Sequence, residues 1–550
     1  MSTLVEETKR PAYGEEDQYI HGQVLEAQET KTEHVALQRG LSSRHISIMT
    51  FAGVIGTGLF LTTGNALVHA GPLGLLLGYM IWSMIVWMVA ICCGEMAAFL
   101  PVRGSFVTWA SRFVDRNVGC AVAWNYWLAT TLCLCSEISA VNSCISVWTD
   151  INSAAWTTVM IISYFIINSV HVGNYGEVEF WYSITKIIFI LILLLMTVCF
   201  MSGANPQGEA FGFQYWNNPG PLAGWVSDDP NTARFLGIWS VFTSAAYSLG
   251  GPDYIAITSA ETINPRRNVP KVVRRVMYRL FFLYWTTIIA MGIMVPSNSP
   301  ELKKALAEGA GMLQSPFIVG FQQWGLGRWF LHLSNALLVV SAASCGNVFC
   351  YCSIRTMLAM ASEGFAPRFF ARTLKNGAPI YAVISTCLIA CLSYLSASSQ
   401  SSVVFSWFVG LVGLGLLINK AWMIVEWICF NKALKAQGIP RESLPFRGRC
   451  MNWAPHLALF FLLLIGLTSH FDVFCTGRWD IKTFITGYFM FAWSFVIWVL
   501  AKIFVRGPRN PPELVDLTTG RAEVDADQAY WAEHFKPPRT RWEKFYDWLF

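Results

Sequence analysis

Charge is scarce in this sequence. Only 13% of its 550 residues are Asp, Glu, Lys or Arg, where a soluble domain carries about a quarter. With 54% apolar residues and a positive mean hydropathy, that scarcity excludes an ordinary soluble globule and points to a bilayer. A short apolar run at the start is also missing. Met1 to Arg44 is polar and rich in charge, so no cleavable signal peptide is expected and the first span should direct its own insertion. No basic run is interleaved with aromatics, which excludes a nucleic-acid partner. The net charge of +5 reflects uneven loops. Paired CxxC motifs are absent among the 15 cysteines. Cys92, Cys93, Cys133, Cys135, Cys345, Cys350 and Cys352 lie in apolar runs, as small core side chains do. No metal and no cofactor are expected. The sequence shows no Ser/His/Asp set and no phosphate loop in the context such chemistry needs, so an enzyme is not expected either.

Long apolar runs are abundant instead. A span needs about 20 apolar residues. Twelve stretches qualify: Ser47–Ala70, Leu73–Phe99, Gly119–Trp148, Ala154–Val172, Trp181–Met201, Leu236–Ile257, Leu280–Val295, Phe330–Met360, Ile380–Ala397, Val403–Phe430, Pro455–Ser469 and Phe484–Phe504. The 24 tryptophans suit interface belts. One set of loops is basic, with Arg103, Arg112 and Arg116, then Arg266, Arg267, Lys271, Arg274 and Arg275, then Arg368, Arg372 and Lys375, then Lys432, Lys435, Arg441, Arg447 and Arg449. Positive loops stay in the cytoplasm, and an even span count then puts both tails there. The reading is a tail over 1–46, a twelve-helix body over 47–505 and a second tail over 506–550. The tails lack long apolar runs and are expected to be flexible or loosely docked. They are candidate contacts for trafficking and ubiquitin machinery.

Two spans carry helix-breaking clusters: Gly53-Val54-Ile55-Gly56-Thr57-Gly58 in the first and Tyr247-Ser248-Leu249-Gly250-Gly251-Pro252 in the sixth. A single cluster would read as a packing notch. Two clusters open two five-helix halves at matching positions, which points to a transporter site. Amides freed at a half-helix N-terminus attract a carboxylate. Carbonyls freed at a half-helix C-terminus attract an ammonium group. A solute with both groups, an amino acid, fits.

The ordered motifs carry a resemblance. Leu41-Ser-Ser-Arg-His45 leads into Gly53-Val-Ile-Gly-Thr-Gly-Leu-Phe60. Gly94-Glu-Met96, Pro101-Val-Arg-Gly-Ser105, Arg112-Phe-Val-Asp115 and Ala123-Trp-Asn-Tyr126 follow. Then come Gly176-Glu-Val-Glu-Phe180 with Lys186, Ala260-Glu-Thr-Ile-Asn-Pro-Arg266, Ser362-Glu-Gly-Phe-Ala-Pro367 and Phe405-Ser-Trp407. From about Leu37 to Phe504 the chain resembles the fungal amino-acid permeases of the amino acid–polyamine–organocation superfamily. The resemblance implies an all-α polytopic membrane protein. Its twelve transmembrane helices would adopt the five-plus-five inverted-repeat, LeuT-like fold plus two extra helices. It further implies proton-driven amino-acid uptake at a cell membrane, by rocking of helices 1, 2, 6 and 7 against a scaffold containing 3, 4, 8 and 9. The partners implied are an amino acid, a proton and the lipid bilayer.

Roles follow from the same resemblance. Ile55, Gly56, Thr57 and Gly58 would hold the substrate carboxylate. Tyr247, Ser248, Leu249 and Gly250 would offer carbonyls to the amine, with Tyr247 as an aromatic gate where the family usually has Phe. Lys186 matches a fifth-helix lysine that stands in for sodium in related carriers; alternatively it pins helix five to the first span. Glu137 matches a third-helix acid, as a site residue or an ion-pair member. Glu95 reads as structural, and Glu261 and Arg266 as parts of an inner loop and gate. The chain departs from the pattern in three places. Pro252-Asp253 replaces a Thr-Glu or Ser-Glu pair, Asn419-Lys420 replaces Thr-Trp, and the terminal Asp547-Trp-Leu-Phe550 lacks the Cys of many relatives.

Lys420 sits about ten residues, or about 15 Å, inside its helix, too deep to snorkel easily. It needs an anionic partner, a wet cavity or a lowered pKa. Glu137 or Asp253 could supply the partner, or the substrate could through a second carboxylate. Two other readings stay open: a carrier of another zwitterion or amine such as carnitine or a polyamine, and a nutrient sensor that binds without transporting.

Overall fold

Twelve apolar runs in one chain demand helices, because lipid offers backbone groups no partner. The computed structural model of the chain describes residues 47, 50–51, 53–102, 104–169, 172–260, 262–309, 311–374, 377–398, 401–475, 477–507, 509–534 and 540–542. The expected tail 1–46 with its Leu41–His45 motif lies outside the described residues, as do Arg103, Glu261, Lys375 and Asp547–Phe550. The described residues form helices and no strand, with one isolated bridge between Asp115 and Arg509.

The long helices are α1 (Thr63–Phe99), α2 (Arg116–Ile145), α3 (Ser153–Ser169), α4 (Val172–Met201), α5 (Pro230–Ser248), α6 (Pro252–Ser259) and α7 (Pro265–Met294). They continue with α8 (Arg328–Glu363), α9 (Ile380–Ala390), α10 (Ser401–Ala436), α11 (Ala454–Thr468), α12 (Ile481–Phe504) and α13 (Arg521–His534). Among the described residues, eight runs are long and apolar enough to cross a membrane by themselves, beside the twelve expected. The difference has local causes. The first two expected spans run together as Gly58–Phe99 and turn at Gly71, whose φ of 74° suits glycine. The sixth is cut into α5 and α6. The fourth and eleventh, α3 and α11, are apolar but have only 17 and 15 residues.

The seventh span starts earlier than expected. Arg266, Arg267, Lys271, Arg274 and Arg275, expected in a loop, form the first turns of α7. Pro265 at the first helical position favours that start, since its missing N–H is one the helix does not need there.

Burial sorts the helices into layers. In α2, 89% of the apolar window is buried inside the protein, against 33% for α4 and 17% for α12. Leu191, Leu195 and Val198 of α4 and Phe495 and Phe504 of α12 are exposed. Apolar faces of this extent suit lipid, not water. At the centre, α2 packs chiefly against α8 and α10, while α1 packs chiefly against α5 and α7.

The C-terminal segment, expected to be flexible or loosely docked, makes specific contacts with the bundle in its described part. Asn117 and Gly507 exchange two hydrogen bonds, of 3.0 and 3.2 Å. Gln437 donates to the Val515 carbonyl at 2.7 Å. Arg112 pairs with Asp516 at 3.5 Å. Arg266 pairs with Asp525 at 2.5 Å and also reaches Gln528. Residues 506–507 and 509–534 therefore lie across the basic end of the bundle. Composition does not announce this docking because it uses scattered polar contacts and isolated apolar side chains such as Val515 and Leu517, not an apolar run.

Candidate functional site

The first break is short. Ile55 N still donates to Phe51 O at 2.9 Å, but Gly56 N turns to Val54 O at 3.1 Å. The chain then re-enters a helix through a π-helical turn, Gly58–Thr62; such turns recur at functional sites. The second break is wider. Leu249 is extended, and Gly251 has φ 124° and ψ −45°, a region closed to residues with a Cβ. Pro252 then opens α6, where its lack of an N–H does no harm.

The two breaks touch. A Cβ on Gly58 would stand 2.6 Å from Ser248 Cβ and 2.8 Å from Ser248 Cα. One on Gly56 would stand 2.5 Å from Cys345 Sγ and 3.0 Å from Glu137 Oε1. These glycines are thus packing notches and members of the expected site at once. Gly250 differs, since a Cβ there would meet nothing nearer than Asp253 Oδ2 at 3.9 Å.

Polar side chains converge on this junction. Thr57 Oγ1 donates to Glu137 Oε1 at 3.0 Å. The Tyr247 hydroxyl lies 2.8 Å from Ser136 Oγ and 3.4 Å from Glu137 Oε1. Tyr247 therefore closes against α2, with Phe405 of α10 edge-on to its ring at 6.2 Å. Glu137 is 2% exposed, and its Oε2 has no hydrogen-bond partner among the described residues. On the other side of the first break, Lys186 Nζ donates to Ile55 O at 2.8 Å. The structure thus joins Ile55, Thr57, Glu137, Tyr247 and Lys186 in one cluster.

Two of the four carbonyls expected to face an amine are already engaged. Trp82 Nε1 donates to Leu249 O at 3.0 Å. Tyr284 Oη lies 2.7 Å from Ser248 O and 2.8 Å from Val54 O, so one hydroxyl proton serves both breaks in turn. Each carbonyl keeps a second lone pair. Tyr79 Oη also meets Ser248 Oγ at 2.7 Å. Tyr79, Trp82, Ser136 and Tyr284 escaped sequence reasoning. Their only signal was a polar tip inside an apolar run.

Lys420 has an internal partner. Its Nζ lies 3.6 Å from Asp253 Oδ2, with side-chain exposures of 0% and 4%. The choice left open between Glu137 and Asp253 thus falls on Asp253, in the first turn of α6, where helix-end amides favour an acid. Glu95 accepts two bonds from Arg441, at 2.6 and 2.9 Å, and others from Trp427 Nε1 and Gly448 N. It ties α1 to α10 and the following loop. Arg266, expected at a gate, holds the C-terminal helix α13.

The chain was compared with known proteins. The family model described as "Amino acid permease" matches residues 45–511. A proline-specific permease of Emericella nidulans is 33% identical over 97% of this chain and 97% of its own length. A dicarboxylic amino acid permease of Saccharomyces cerevisiae is 32% identical over 90% of this chain and 82% of its own. Among solved structures, a manganese transporter of Eremococcus coleocola superposes with a TM-score of 0.53 at 13% identity, covering 84% of this chain and 94% of that one. That likeness is one of fold, and it is the LeuT-like fold that the family resemblance implied.

Proposed function

Because the chain belongs to the amino acid permease family, we propose that it is a proton-coupled permease that imports amino acids by alternating access. The observation that carries the reading is the Lys186 contact. A fixed ammonium group holds the Ile55 carbonyl at the break of the first span, where a mobile cation would otherwise be needed to steady freed backbone oxygens. A carrier with a built-in cation there has no need of sodium and can be driven by protons.

In this reading the backbone of Ile55, Gly56, Thr57 and Gly58 takes the substrate carboxylate. The ammonium group sits between Glu137 Oε2 and the carbonyls of Tyr247, Ser248, Leu249 and Gly250. Tyr247 must leave Ser136 and Glu137 to admit solute, so its closed position corresponds to a shut gate. The packing of α1 with α5 and α7, and of α2 with α8 and α10, supports rocking of one group against the other. The basic ends of α2, α7 and α10 favour a cytoplasmic placement of that face, with both tails inside and the plasma membrane as the site of action. The relatives named for proline and for dicarboxylic amino acids share this frame, so the side-chain class is left to side chains around it.

Vesicles with imposed gradients test the reading. Uptake of labelled amino acids should follow an inward proton gradient and ignore sodium. Competition by acidic, neutral and basic amino acids, carnitine and a polyamine then assigns the class. Uptake that requires sodium and ignores pH would refute the coupling. Binding without any flux would identify a sensor.

A further inference from the structure

One buried acid has no role in the site above. Glu426 lies on α10, six residues from Lys420 toward the basic end, a rise of about 9 Å. It is 0% exposed, and neither carboxylate oxygen has a hydrogen-bond partner among the described residues. The other deeply buried acids have donors or a cation. Glu95 takes Arg441, Trp427 and Gly448. Glu179 takes Ser344 and Asn347. Glu137 takes Thr57, and Asp253 faces Lys420. An ionised carboxylate left without donors in a low-dielectric interior is strongly disfavoured and neutralises instead.

The neighbours of Glu426 place it between two charged pairs. Trp427, the next residue, donates to Glu95, whose partner Arg441 is 18% exposed at the basic end. On the other side, Cys93 of α1 lies within electrostatic reach of both Glu426 and Asp253, and its thiol meets the Pro252 carbonyl at 3.6 Å. Cys429 on its own helix is also within electrostatic reach of Glu426. Neither thiol supplies positive charge. Of the other helices against α10, α11 offers the exposed His456, and α12 offers Lys482 and Lys502, also exposed. The cation on the neighbouring 110–114 turn, Arg112, is held by Asp516. The basic residue of α2 nearest this end, Arg116, donates to the Glu363 carbonyl.

We propose that Glu426 is a proton-binding carboxyl of the transport cycle, standing between the Asp253–Lys420 pair at the break of the sixth span and the Glu95–Arg441 pair at the basic end. This rests on the proton-coupled reading above. One proton is carried as the neutral acid. It leaves to water when movement of α6 opens the basic end, and Arg441, the partly exposed partner of Glu95, is a cation at that end that can steady the carboxylate until a proton returns.

The test uses the full chain in liposomes and a labelled mixture of the common L-amino acids. A gradient of one pH unit can sustain about tenfold accumulation per proton. Glu426→Gln should lose that accumulation and the substrate-evoked proton influx, while exchange of labelled for unlabelled amino acids persists. Wild type and variant accumulating alike, with equal proton influx, would overturn the assignment of Glu426 alone. A wild-type protein indifferent to the gradient would overturn the proton-coupled reading and this one with it. A measurement on wild type covers the case of a variant that misfolds. Dicyclohexylcarbodiimide attacks protonated carboxyls in apolar surroundings, so the adduct should appear on the peptide containing Glu426 and abolish accumulation. A labelled protein without that adduct would overturn the proposal.

Discussion

Removing the ammonium group of Lys420 is the most informative perturbation in the core. Lys420 and Asp253 are buried, with 3.6 Å between Nζ and Oδ2. Asp253 Oδ1 has no hydrogen-bond partner among the described residues. In Lys420→Met the carboxylate therefore loses its countercharge and gains nothing. Breaking a buried pair from one side costs about 3–5 kcal/mol, or about two to three and a half orders of magnitude in the folded-to-unfolded ratio. A typical total stability is about 5–15 kcal/mol, so the variant should be poorly expressed and should melt early for every solute tested. Lys420→Met with Asp253→Asn leaves no isolated charge, and its stability should return to within about 1–2 kcal/mol of wild type, because an unpaired neutral amide costs less than an unpaired ion. The assay is surface expression and thermal melting of a fluorescent fusion for both single variants and the double. A coupling energy near zero in that cycle would refute the pairing. A well-folded Lys420→Met that loses uptake of acidic solutes only would show instead that Lys420 faces the substrate.

Three further outcomes are expected. Glu137→Gln removes the charge but keeps the shape, so it should preserve folding and weaken amino-acid binding by about 1.5–3 kcal/mol, the range for a hydrogen bond to a charged group; unchanged affinity in a well-expressed variant would remove Glu137 from the site. Tyr284→Phe leaves the Ser248 and Val54 carbonyls without the hydroxyl that joins them. It should slow transport more than it lowers stability, by tests of turnover and melting on the same sample. For the docked tail, burial pushes the Asp516 carboxyl up, but amides of Thr519 and Thr518 and the Arg112 guanidinium outweigh it and hold it below the usual range. A lowered folded value means a contribution fully present above the ordinary aspartate value of about 3.9 and lost only as pH falls through the folded value. Hydrogen-exchange protection over 509–534, taken relative to the intrinsic rate at each pH, should therefore be flat between about pH 5 and 8, whereas Asp516→Asn or Arg266→Ala should lower it throughout; a docking loss in the neutral range would implicate another group.

Some of this protein was settled by local sequence. Apolar runs of about 20 residues call for helices, because only a helix satisfies its backbone in lipid within one segment. Gly56, Gly58, Gly251 and Pro252 mark the two breaks through properties of single residues, a missing Cβ or a missing N–H, that act wherever the chain goes. The depth of Lys420 demanded a partner for the same kind of reason. Which acid answers that demand could not be read along the chain. Glu137 and Asp253 were equally available by type, and only the tertiary arrangement brings Asp253 within 3.6 Å of Lys420. The Tyr284 bridge, the closure of Tyr247 on Ser136 and the docking of 509–534 are likewise contacts between residues far apart in sequence. Their chemistry is commonplace in each residue alone, so no local signal announces them. Glu426 shows the same limit: its acidity is plain from the sequence, but its lack of a donor among the described residues is a property of the space around it.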